Sequence, residues 1–414
     1  MRNLREDSNY IIEKAIEQVL PNEAVRRALT DFKRPAGRLL LVAIGKAAFS
    51  MAQEAKAVLG DDIDDGIVIT KHGHARGDIP GIQVYEAGHP VPDMDTFTAT
   101  EKVLKLTENL TEEDVVLFLI SGGGSALFEK SVLSIQELET LTDQMLKSGA
   151  NITEINTIRK RFSLVKGGRF ALHCMPASVY SIVLSDVVKD PLDVIASGPA
   201  YPDSSSVEEA FEIIKKYKLS VPEEGFGNLS RETITELSNV TTVFAGNVTG
   251  LCNAAAAAAE SLGYEPHILT TELSNDVIEA AMLAVDMARY GYENKNTSCA
   301  YILGGETVVH VTGTGLGGRN QELALRSAKA IEQYEGVAVF SVGSDGTDGP
   351  TDAAGGYVDY TTMNTFRLKK LDIDSYLDNN DAYHGLDAVG GLIKTGPTGT
   401  NVNDVLVILV DKSK

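Results

Sequence analysis

Two glycine-rich segments in the last third of the chain carry charged side chains suited to an anionic or metal-bound ligand. Arg319 directly follows Gly317 and Gly318, and Asp345 lies in a second glycine-rich turn behind an apolar run. Glycines let a backbone approach a ligand closely, and arginine grips anionic oxygens in a planar fork. Aspartates at a strand end hold a metal or take a proton. Together these residues indicate a site for a phosphorylated, metal-bound ligand.

Two further candidates in the first half follow apolar runs of strand length. Lys46 comes after the run 39–44 and precedes an alanine-rich stretch typical of a helix. Because a cation is unfavourable at a helix N-terminus unless an anion is present, we interpret Lys46 as a functional cation, with an exposed helix-start lysine as the alternative. Asp186 follows the run 179–184 and is either a metal ligand or base, or an N-cap carboxylate.

A run of small residues between a strand and a helix predicts an anion-binding turn, with a plain tight turn as the alternative. Backbone N–H groups and a helix N-terminus bind anions, and open α/β sheets bind ligands at the carboxyl ends of their strands. The run is neither a Gly-x-Gly-x-x-Gly nor a Walker A motif, which argues against a P-loop kinase and a standard dinucleotide fold. Its members are Ser121, Gly122, Gly123, Gly124 and Ser125.

We interpret two basic segments and one histidine as mainly structural. Positive charge is concentrated at residues 156–161 and 166–169. A phosphate contact is one explanation, but for most of these side chains we expect an exposed helical face paired with surface acids. His89, in the rigid segment 88–93, is expected to be a structural loop histidine.

Composition bounds the class of protein. A chain of 414 residues predicts two domains. The net charge of −21 argues against non-specific binding to nucleic acid or to anionic membranes. The three cysteines share no metal spacing and indicate a reducing compartment. No apolar stretch is long enough to span a bilayer, so we expect a cytoplasmic protein without nucleic-acid or membrane partners.

The order of apolar runs predicts an α/β fold. Buried strands alternate with helices up to about residue 200, which favours a mostly parallel sheet with helices on both faces. Pro21 is expected to split a helix at residues 8–29. The chain becomes polar and loop-like between residues 200 and 239. This change places the domain boundary near 220–240 and gives domains 1–235 and 236–414. Residues 242–245 are expected to open the second series, in which strands 299–303 and 307–311 form a hairpin within a mixed sheet.

Through these motifs the chain resembles the class II glycerate kinases, the glycerate 2-kinases that carry a C-terminal MOFRL domain. The resemblance implies a Rossmann-like three-layer αβα domain followed by a smaller MOFRL domain. It also implies ATP-dependent conversion of D-glycerate to 2-phosphoglycerate with Mg²⁺, in an interdomain cleft, as a step of sugar-acid catabolism. The motifs lie at residues 43–48, 88–93, 120–127, 184–187, 196–199, 304–307, 317–322, 343–349 and 395–401.

The resemblance assigns roles to four residues. The essential lysine of the family corresponds to Lys46 and its essential arginine to Arg319, while Asp186 and Asp345 correspond to its acidic positions. One aspartate would hold Mg²⁺ and the other would orient the substrate hydroxyl. The glycine runs, Gly317 and Gly318 included, would donate backbone N–H groups to phosphates.

The sequence leaves two alternative functions and two open questions, the oligomeric state and the phosphoryl donor. A hydroxypyruvate or hydroxy-acid reductase shares the substrate skeleton, but the chain lacks a dinucleotide fingerprint. A non-catalytic sugar-phosphate-binding regulator would not need carboxylates placed to hold a metal. The sequence leaves open a homodimer and the identity of the phosphoryl donor.

Overall fold

The computed structural model describes residues 2–185, 187 and 191–413, apart from the side chain of Glu224. It comprises two compact units, Ala24–Ala245 and Met1–Glu23 with Gly246–Lys414. Within the described residues, no helix has both the length and the apolar character needed to cross a bilayer.

The elements follow in chain order. The first are α1 (Leu4–Gln18), α2 (Pro21–Ala28), β1 (Leu39–Ile44), α3 (Ala48–Leu59), β2 (Asp65–Lys71), β3 (Gln83–Ala87), α4 (Met94–Leu106), β4 (Val115–Ile120) and α5 (Gly124–Leu127). Next come α6 (Ile135–Lys147), α7 (Ile152–Phe162), α8 (Arg169–Cys174), β5 (Ser178–Leu184), α9 (Val207–Tyr217), α10 (Phe226–Leu229) and β6 (Val240–Gly246). The remainder are α11 (Val248–Ser261), β7 (Glu265–Leu273), α12 (Val277–Asn294), β8 (Cys299–Gly305), α13 (Arg319–Ile331), β9 (Val337–Gly343), β10 (Gly355–Asp359), α14 (Thr362–Leu368), α15 (Ile373–Asp378), α16 (Ala382–Val389), β11 (Leu392–Ile393) and β12 (Asp404–Val410).

The sheet of the unit Ala24–Ala245 has the strand order β3-β2-β1-β4-β5-β6. The pairs β2–β3, β1–β2, β1–β4 and β4–β5 are parallel. Strand β1 is buried along its whole length, and its alternate residues enter two different core clusters. A strand apolar on both faces needs helices on both sides, which confirms the predicted α/β fold. The strand order reverses at β1 and β4, so the loops behind these strands lie at the topological switch point.

The sheet of the other unit has the order β11-β10-β9-β12-β8-β7. Strands β7 and β8 are parallel, and the other neighbouring pairs are antiparallel, so the predicted mixed sheet is confirmed. In this register Asp404, the first residue of β12, lies opposite both Gly305 and Gly343. The ends of β8 and β9 and the start of β12 therefore meet at one sheet edge, beside Glu306 and Asp345.

Two predictions about strands are wrong. Residues 242–245 do not open the second sheet, because β6 is hydrogen-bonded to β5 at the edge of the first. Residues 307–311 form no hairpin strand, and Val308 makes only an isolated bridge with Asp276. The edge of β8 is occupied instead by β12, about 100 residues further along the chain. Local apolar patterns indicate a strand but carry no information about its partner.

The N-terminal helix is confirmed as split, because α1 ends at Gln18 and α2 begins at Pro21. The apolar face of α1, with Ile11 and Ala15, belongs to the same core cluster as Leu251 of α11. That shared core explains why residues 1–23 group with Gly246–Lys414. The division into domains 1–235 and 236–414 stays a prediction.

Candidate active site

The loops that follow β1 and β4 hold each other by hydrogen bonds. The Lys46 N–H donates to the Gly122 carbonyl (2.9 Å), and the Ala47 N–H donates to Ser121 Oγ (3.1 Å). Gly45 has φ +112°, and a Cβ there would lie 2.3 Å from Ser121 Oγ. Only glycine fits such an approach. The hydroxyl of Ser121 is thus engaged within the fold, and it fixes Lys46 beside the glycine run.

The glycine run offers backbone donors to a ligand. The N–H groups of Gly122 and Gly123 have no acceptor in the part of the chain that the structure describes, whereas the Gly124 N–H donates to the Ser121 carbonyl (3.2 Å). Gly123 adopts φ +87°. Adjacent N–H groups in such a turn form a concave anion-binding surface. The predicted anion-binding turn therefore has two donors available.

Lys46 and His89 both lie beside Gly123. A Cβ on this glycine would come within 2.9 Å of the His89 ring and 3.2 Å of Lys46 Cγ. Burial and then Lys46, Lys71 and His74 lower the pKa of His89, so the imidazole is neutral at pH 7. Its ring nitrogens bond to no described residue. Sequence reasoning set His89 aside, although its position in a proline-fixed loop directly behind β3 was a usable signal.

The Lys46 side chain is partly exposed and has no carboxylate partner among the residues that the structure describes. Among the described residues, no acid lies within 4.0 Å of its ammonium group. The chain as a whole carries a net charge of −21. A lysine left without a counter-ion in such a protein is suited to an anionic ligand.

An ionic network of Lys166, Arg159 and Glu129 holds the glycine run in place. Lys166 is 0% exposed, and its Nζ donates to the carbonyls of Ser125 (2.8 Å) and Phe128 (2.9 Å). Arg159 Nη2 also donates to the Ser125 carbonyl (3.1 Å), and both cations contact Glu129 at 3.3 Å. Burial lowers the pKa of Lys166 to about 8, opposed by Glu129. Two cations thus fix the carbonyl at the end of the run.

The segment 196–199 packs on the opposite side of the run. The Ser125 and Ser197 hydroxyls are hydrogen-bonded at 2.6 Å, and a Cβ on Gly124 would lie 2.9 Å from Ala196 Cβ. Ala196 and Ser197 both have positive φ, 52° and 61°. Such strained residues persist only where the surroundings dictate them, and they cluster at functional sites.

The prediction of an exposed basic face is wrong for four of its residues. All four are buried, and Lys160, Arg161 and Lys166 bond to internal acids, carbonyls and hydroxyls. The four, with their exposed fractions, are Lys160 (5%), Arg161 (1%), Lys166 (0%) and Arg169 (8%).

Arg319 of the second unit is clamped by carboxylates. Its Nε and Nη2 bond to the two oxygens of Asp404 (2.6 and 3.1 Å), and its Nη1 lies 3.0 Å from Glu306. Burial opposes the charge, but the bonds to Asp404 outweigh it and raise the pKa of Arg319. Sequence reasoning missed Asp404, whose signal was a lone carboxylate at the start of an apolar strand.

A second carboxylate fixes the helix that begins with Arg319. Asp348 accepts hydrogen bonds from the backbone N–H groups of Gln321 (2.8 Å) and Asn320 (3.2 Å). Burial raises its pKa to about 6. A Cβ on Gly318 would lie 2.3 Å from Asp348 Cγ, so only glycine fits. The N–H groups of Gly317 and Gly318 have no acceptor among the described residues.

Asp345 is the candidate metal ligand that the structure describes. Its Oδ1 accepts from the Thr347 N–H (2.9 Å), while its Oδ2 accepts from no described residue. A partly exposed carboxylate with a spare oxygen fits a Mg²⁺ ligand. The described residues close enough to share an ion are instead His72, Asp93 and Asp95. Asp186, the other predicted ligand, lies outside the described residues.

The fold is that of an α/β protein with a glycine-rich turn at the switch point of its first sheet and a second unit built on a mixed sheet. Residues 7–226 match a family model described as a domain of unknown function, DUF4147, and residues 299–404 match the MOFRL family. The chain belongs to this family, the class II glycerate kinases with a MOFRL domain.

Two relatives and a solved structure resemble the chain over nearly its whole length. The D-glycerate 2-kinase of Thermotoga maritima is 49% identical over 97% of this chain and 97% of its own. The glycerate 2-kinase of Pyrococcus horikoshii is 37% identical over 100% of this chain and 98% of its own. The crystal structure of a glycerate kinase from Thermotoga maritima superposes with a TM-score of 0.93 at 48% identity, covering 98% of this chain and 99% of that one.

Proposed function

We propose that the chain transfers the γ-phosphoryl group of ATP to the 2-hydroxyl of D-glycerate, giving 2-phosphoglycerate and ADP. The observation that carries the proposal is the juxtaposition of Lys46 with the N–H groups of Gly122 and Gly123, which have no acceptor among the described residues, at the switch point of the sheet. Such a site fits a phosphate group. The relatives named glycerate 2-kinase support glycerate as the acceptor.

The reaction forms a bond between the glycerate oxygen and the γ-phosphorus and breaks the bond from that phosphorus to ADP. Its transition state gains mainly from positioning and charge neutralisation. Lys46 neutralises charge on the phosphoryl oxygens, and the N–H groups of Gly122 and Gly123 donate to them. The carbonyl bonds of Lys166 and Arg159 keep the turn in a donor-presenting shape, so few groups need to reorient during the reaction.

Arg319 acts as the second cation. Its guanidinium has five N–H donors, of which three are engaged by Asp404 and Glu306. The other two remain for the glycerate carboxylate or the transferred phosphoryl group. Since Lys46 and Arg319 belong to different compact units, the reaction we propose depends on both units.

Mg²⁺ has a plausible ligand in Asp345, because one oxygen of its carboxylate is unengaged by described residues. Asp345 or Asp186 would hold the ion, which when bound supplies neutralising charge to phosphate oxygens. The carboxylate that does not bind the ion orients the 2-hydroxyl.

The decisive assay couples the product to enolase. The protein is incubated with D-glycerate and Mg-ATP, and enolase is added without phosphoglycerate mutase. Phosphoenolpyruvate formed under these conditions identifies the 2-phosphate. Product that appears only after mutase is added would identify the 3-phosphate and contradict the position we propose, and no product in either arm would reject the kinase.

A hydroxypyruvate reductase remains the second candidate, because the strand order β3-β2-β1-β4-β5-β6 is also that of dinucleotide-binding folds. The turn after β1 nevertheless reads Gly45-Lys46-Ala47 and lacks the fingerprint glycines. Oxidation of NADH by hydroxypyruvate in the absence of ATP would establish the reductase. We expect no oxidation above background.

A further inference from the structure

His89 lies against the glycine run, beside Lys46. A Cβ placed on Gly123 would come within 2.9 Å of His89 Nε2 and 3.2 Å of Lys46 Cγ, so the two side chains approach the same residue of the turn. Neither ring nitrogen of His89 bonds to any residue that the structure describes. The side chain is half-buried, so a polar ring with no bond to the described residues lies at the proposed phosphate site.

The loops behind four neighbouring strands meet at Lys46. Its carbonyl oxygen accepts a hydrogen bond from Thr70 Oγ1 of β2 (3.3 Å) and lies 3.2 Å from His74 Nδ1, in the segment after β2. His89 comes from the loop after β3, and Gly123 comes from the loop after β4. Open α/β sheets bind ligands at the carboxyl ends of their strands, so these groups are placed to reach one ligand.

The loop that carries His89 is held at both ends. Directly after β3 begins the loop, and the Ala87 carbonyl before it accepts from the His72 N–H (3.2 Å). At the other end Asp93 caps α4 by accepting from the Thr96 N–H (2.9 Å), and its Oδ2 lies 2.9 Å from His72 Nε2. These bonds fix the backbone on both sides of His89, so its ring is placed beside the glycine run before a ligand binds.

The groups that act on the charge of His89 are all basic. Burial lowers its pKa first, and Lys46, Lys71 and His74 lower it further. His72, behind the neighbouring strand, has instead a carboxylate partner and a raised pKa. Basic groups gathered around one ring, in a chain of net charge −21, favour an anion between them.

We propose that His89 donates through Nε2 to an oxygen of the phosphoryl group bound by Lys46 and the glycine run. The inference rests on the phosphoryl transfer proposed above and adds a residue to its site. Lys46 supplies charge on a flexible stem, whereas the imidazole supplies a directed N–H from a fixed loop. A donor already aimed at the oxygens on which charge develops stabilises the transition state without reorienting.

An imidazole titration by NMR, on the intact chain with isotope-labelled histidine, tests the contact. The His89 signal is identified by its loss in His89→Gln. Inorganic phosphate should raise the midpoint of the His89 titration by about one pH unit over sodium chloride of equal ionic strength, because a nearby anion favours the charged ring. His173 is the internal control: it is exposed, and its Nε2 lies 3.0 Å from the Leu104 carbonyl oxygen. Its midpoint should not move.

Turnover in the enolase-coupled assay separates a donor from a packing group. His89→Leu removes the donor and should lower kcat by about 10²-fold. His89→Gln keeps a side-chain N–H and should stay within about tenfold of wild type. The loss in His89→Leu should fall on kcat more than on the KM for ATP, because the contact strengthens in the transition state. His173→Gln should turn over as wild type does.

Two results would overturn the inference. One is a His89 titration that phosphate leaves unmoved, and the other is equal turnover in His89→Leu and His89→Gln. If His89→Leu does not fold, the wild-type titration decides. Phosphate that moves the titration of a wild type without kinase activity would support the contact and reject the reaction proposed above.

The source of the phosphoryl group is resolved by repeating the titration with ATP, 2-phosphoglycerate and D-glycerate. Whichever phosphorylated compound moves the His89 midpoint at the lowest concentration is the ligand that fits best. A midpoint that moves with D-glycerate but with none of the phosphorylated compounds would contradict the inference, because the ring would then contact a carboxylate.

Discussion

Lys46 and Arg319 are the proposed catalytic cations of the two units, and their surroundings are opposite. Lys46 is partly exposed, with no carboxylate partner among the described residues and two unbonded N–H groups nearby. Arg319 is held by Asp404 and Glu306 before any ligand arrives. Lys46 has no counter-ion in the part of the chain that the structure describes, whereas Arg319 is oriented by two carboxylates of its own unit.

The difference separates two ways to bind an anion in an acidic protein. An uncompensated lysine attracts a phosphate strongly but is held loosely by its flexible stem. A clamped arginine presents its remaining N–H groups in a fixed direction, at the cost of competing charge from its own carboxylates. Loss of Lys46 should therefore affect chemistry alone, and loss of Arg319 should affect chemistry and stability together.

The largest effect is expected for Lys46→Met. Removing a cation from a phosphoryl-transfer site costs on the order of 10³-fold or more in kcat, and no ion pair is lost in the described part of the fold. Activity is measured with the enolase-coupled assay and stability by thermal unfolding. Lys33→Met, at an exposed position, is the control. Turnover within tenfold of wild type would remove Lys46 from the mechanism.

Arg319→Ala is expected to lose a similar factor in turnover and also about 2 kcal/mol of stability. The variant leaves Asp404, 6% exposed, as a buried carboxylate without its arginine. The loss of stability falls below the usual range for broken buried ion pairs, because the Arg319 side chain is itself a third exposed. Denaturant unfolding measures the loss. Asp404→Asn in the same background should recover part of the stability and none of the turnover. A fully stable Arg319→Ala protein would contradict the clamp.

Gly123→Ala should reduce turnover by about 10²-fold, because the methyl group meets His89 and Lys46 and displaces them from their productive positions. The matched control is Gly149→Ala, where φ is +79° but no atom lies within 4 Å of the added carbon. Both variants should lose about 1 kcal/mol to backbone strain. Equal turnover in the two would show that the space around Gly123 is not functional.

The smallest effect concerns the pH dependence of stability. The folded pKa of Asp348 is about 6, above its ordinary value of 3.8. The unfolded chain therefore loses this proton first, and stability falls as pH rises from about 4 to 6, by on the order of 2 kcal/mol. The Tm difference between wild type and Asp348→Asn should shrink or reverse across this window. The Tm difference between wild type and Asp286→Asn, which removes an exposed acid, should show no such trend. A wild type–Asp348→Asn difference that stays constant across this window would refute the assignment.

Much of the site was predictable because its elements are local. Apolar runs marked β1 and β4, and the residues directly after them, Lys46 and the glycine run, therefore had to lie at strand ends. Positive φ favours glycine at positions 45 and 123, and the close approach of Asp348 requires glycine at position 318. The resemblance to glycerate kinases rests on the same short motifs, in which chemistry and spacing are visible in the chain itself.

Contacts between distant segments were not predictable. Asp404 reaches Arg319 only because β12 pairs with both β8 and β9 in a register that aligns Gly305, Asp404 and Gly343. The partner of a strand depends on which edge remains available after the sheet has formed, and β6 shows the same point by joining β5. His89 was set aside for this reason, since its contact with Gly123 spans 34 residues.

The sequence by itself determined the fold class, the two glycine-rich sites and the two catalytic candidates Lys46 and Arg319. It could do so because strand periodicity, backbone freedom and side-chain charge are properties of neighbouring residues. Only the tertiary structure decided that Lys166 and Arg159 support the glycine run and that Asp404 clamps Arg319. Burial and ion pairing are set by packing across the whole chain. They decide whether a charged side chain is already neutralised within the fold or remains available to a ligand.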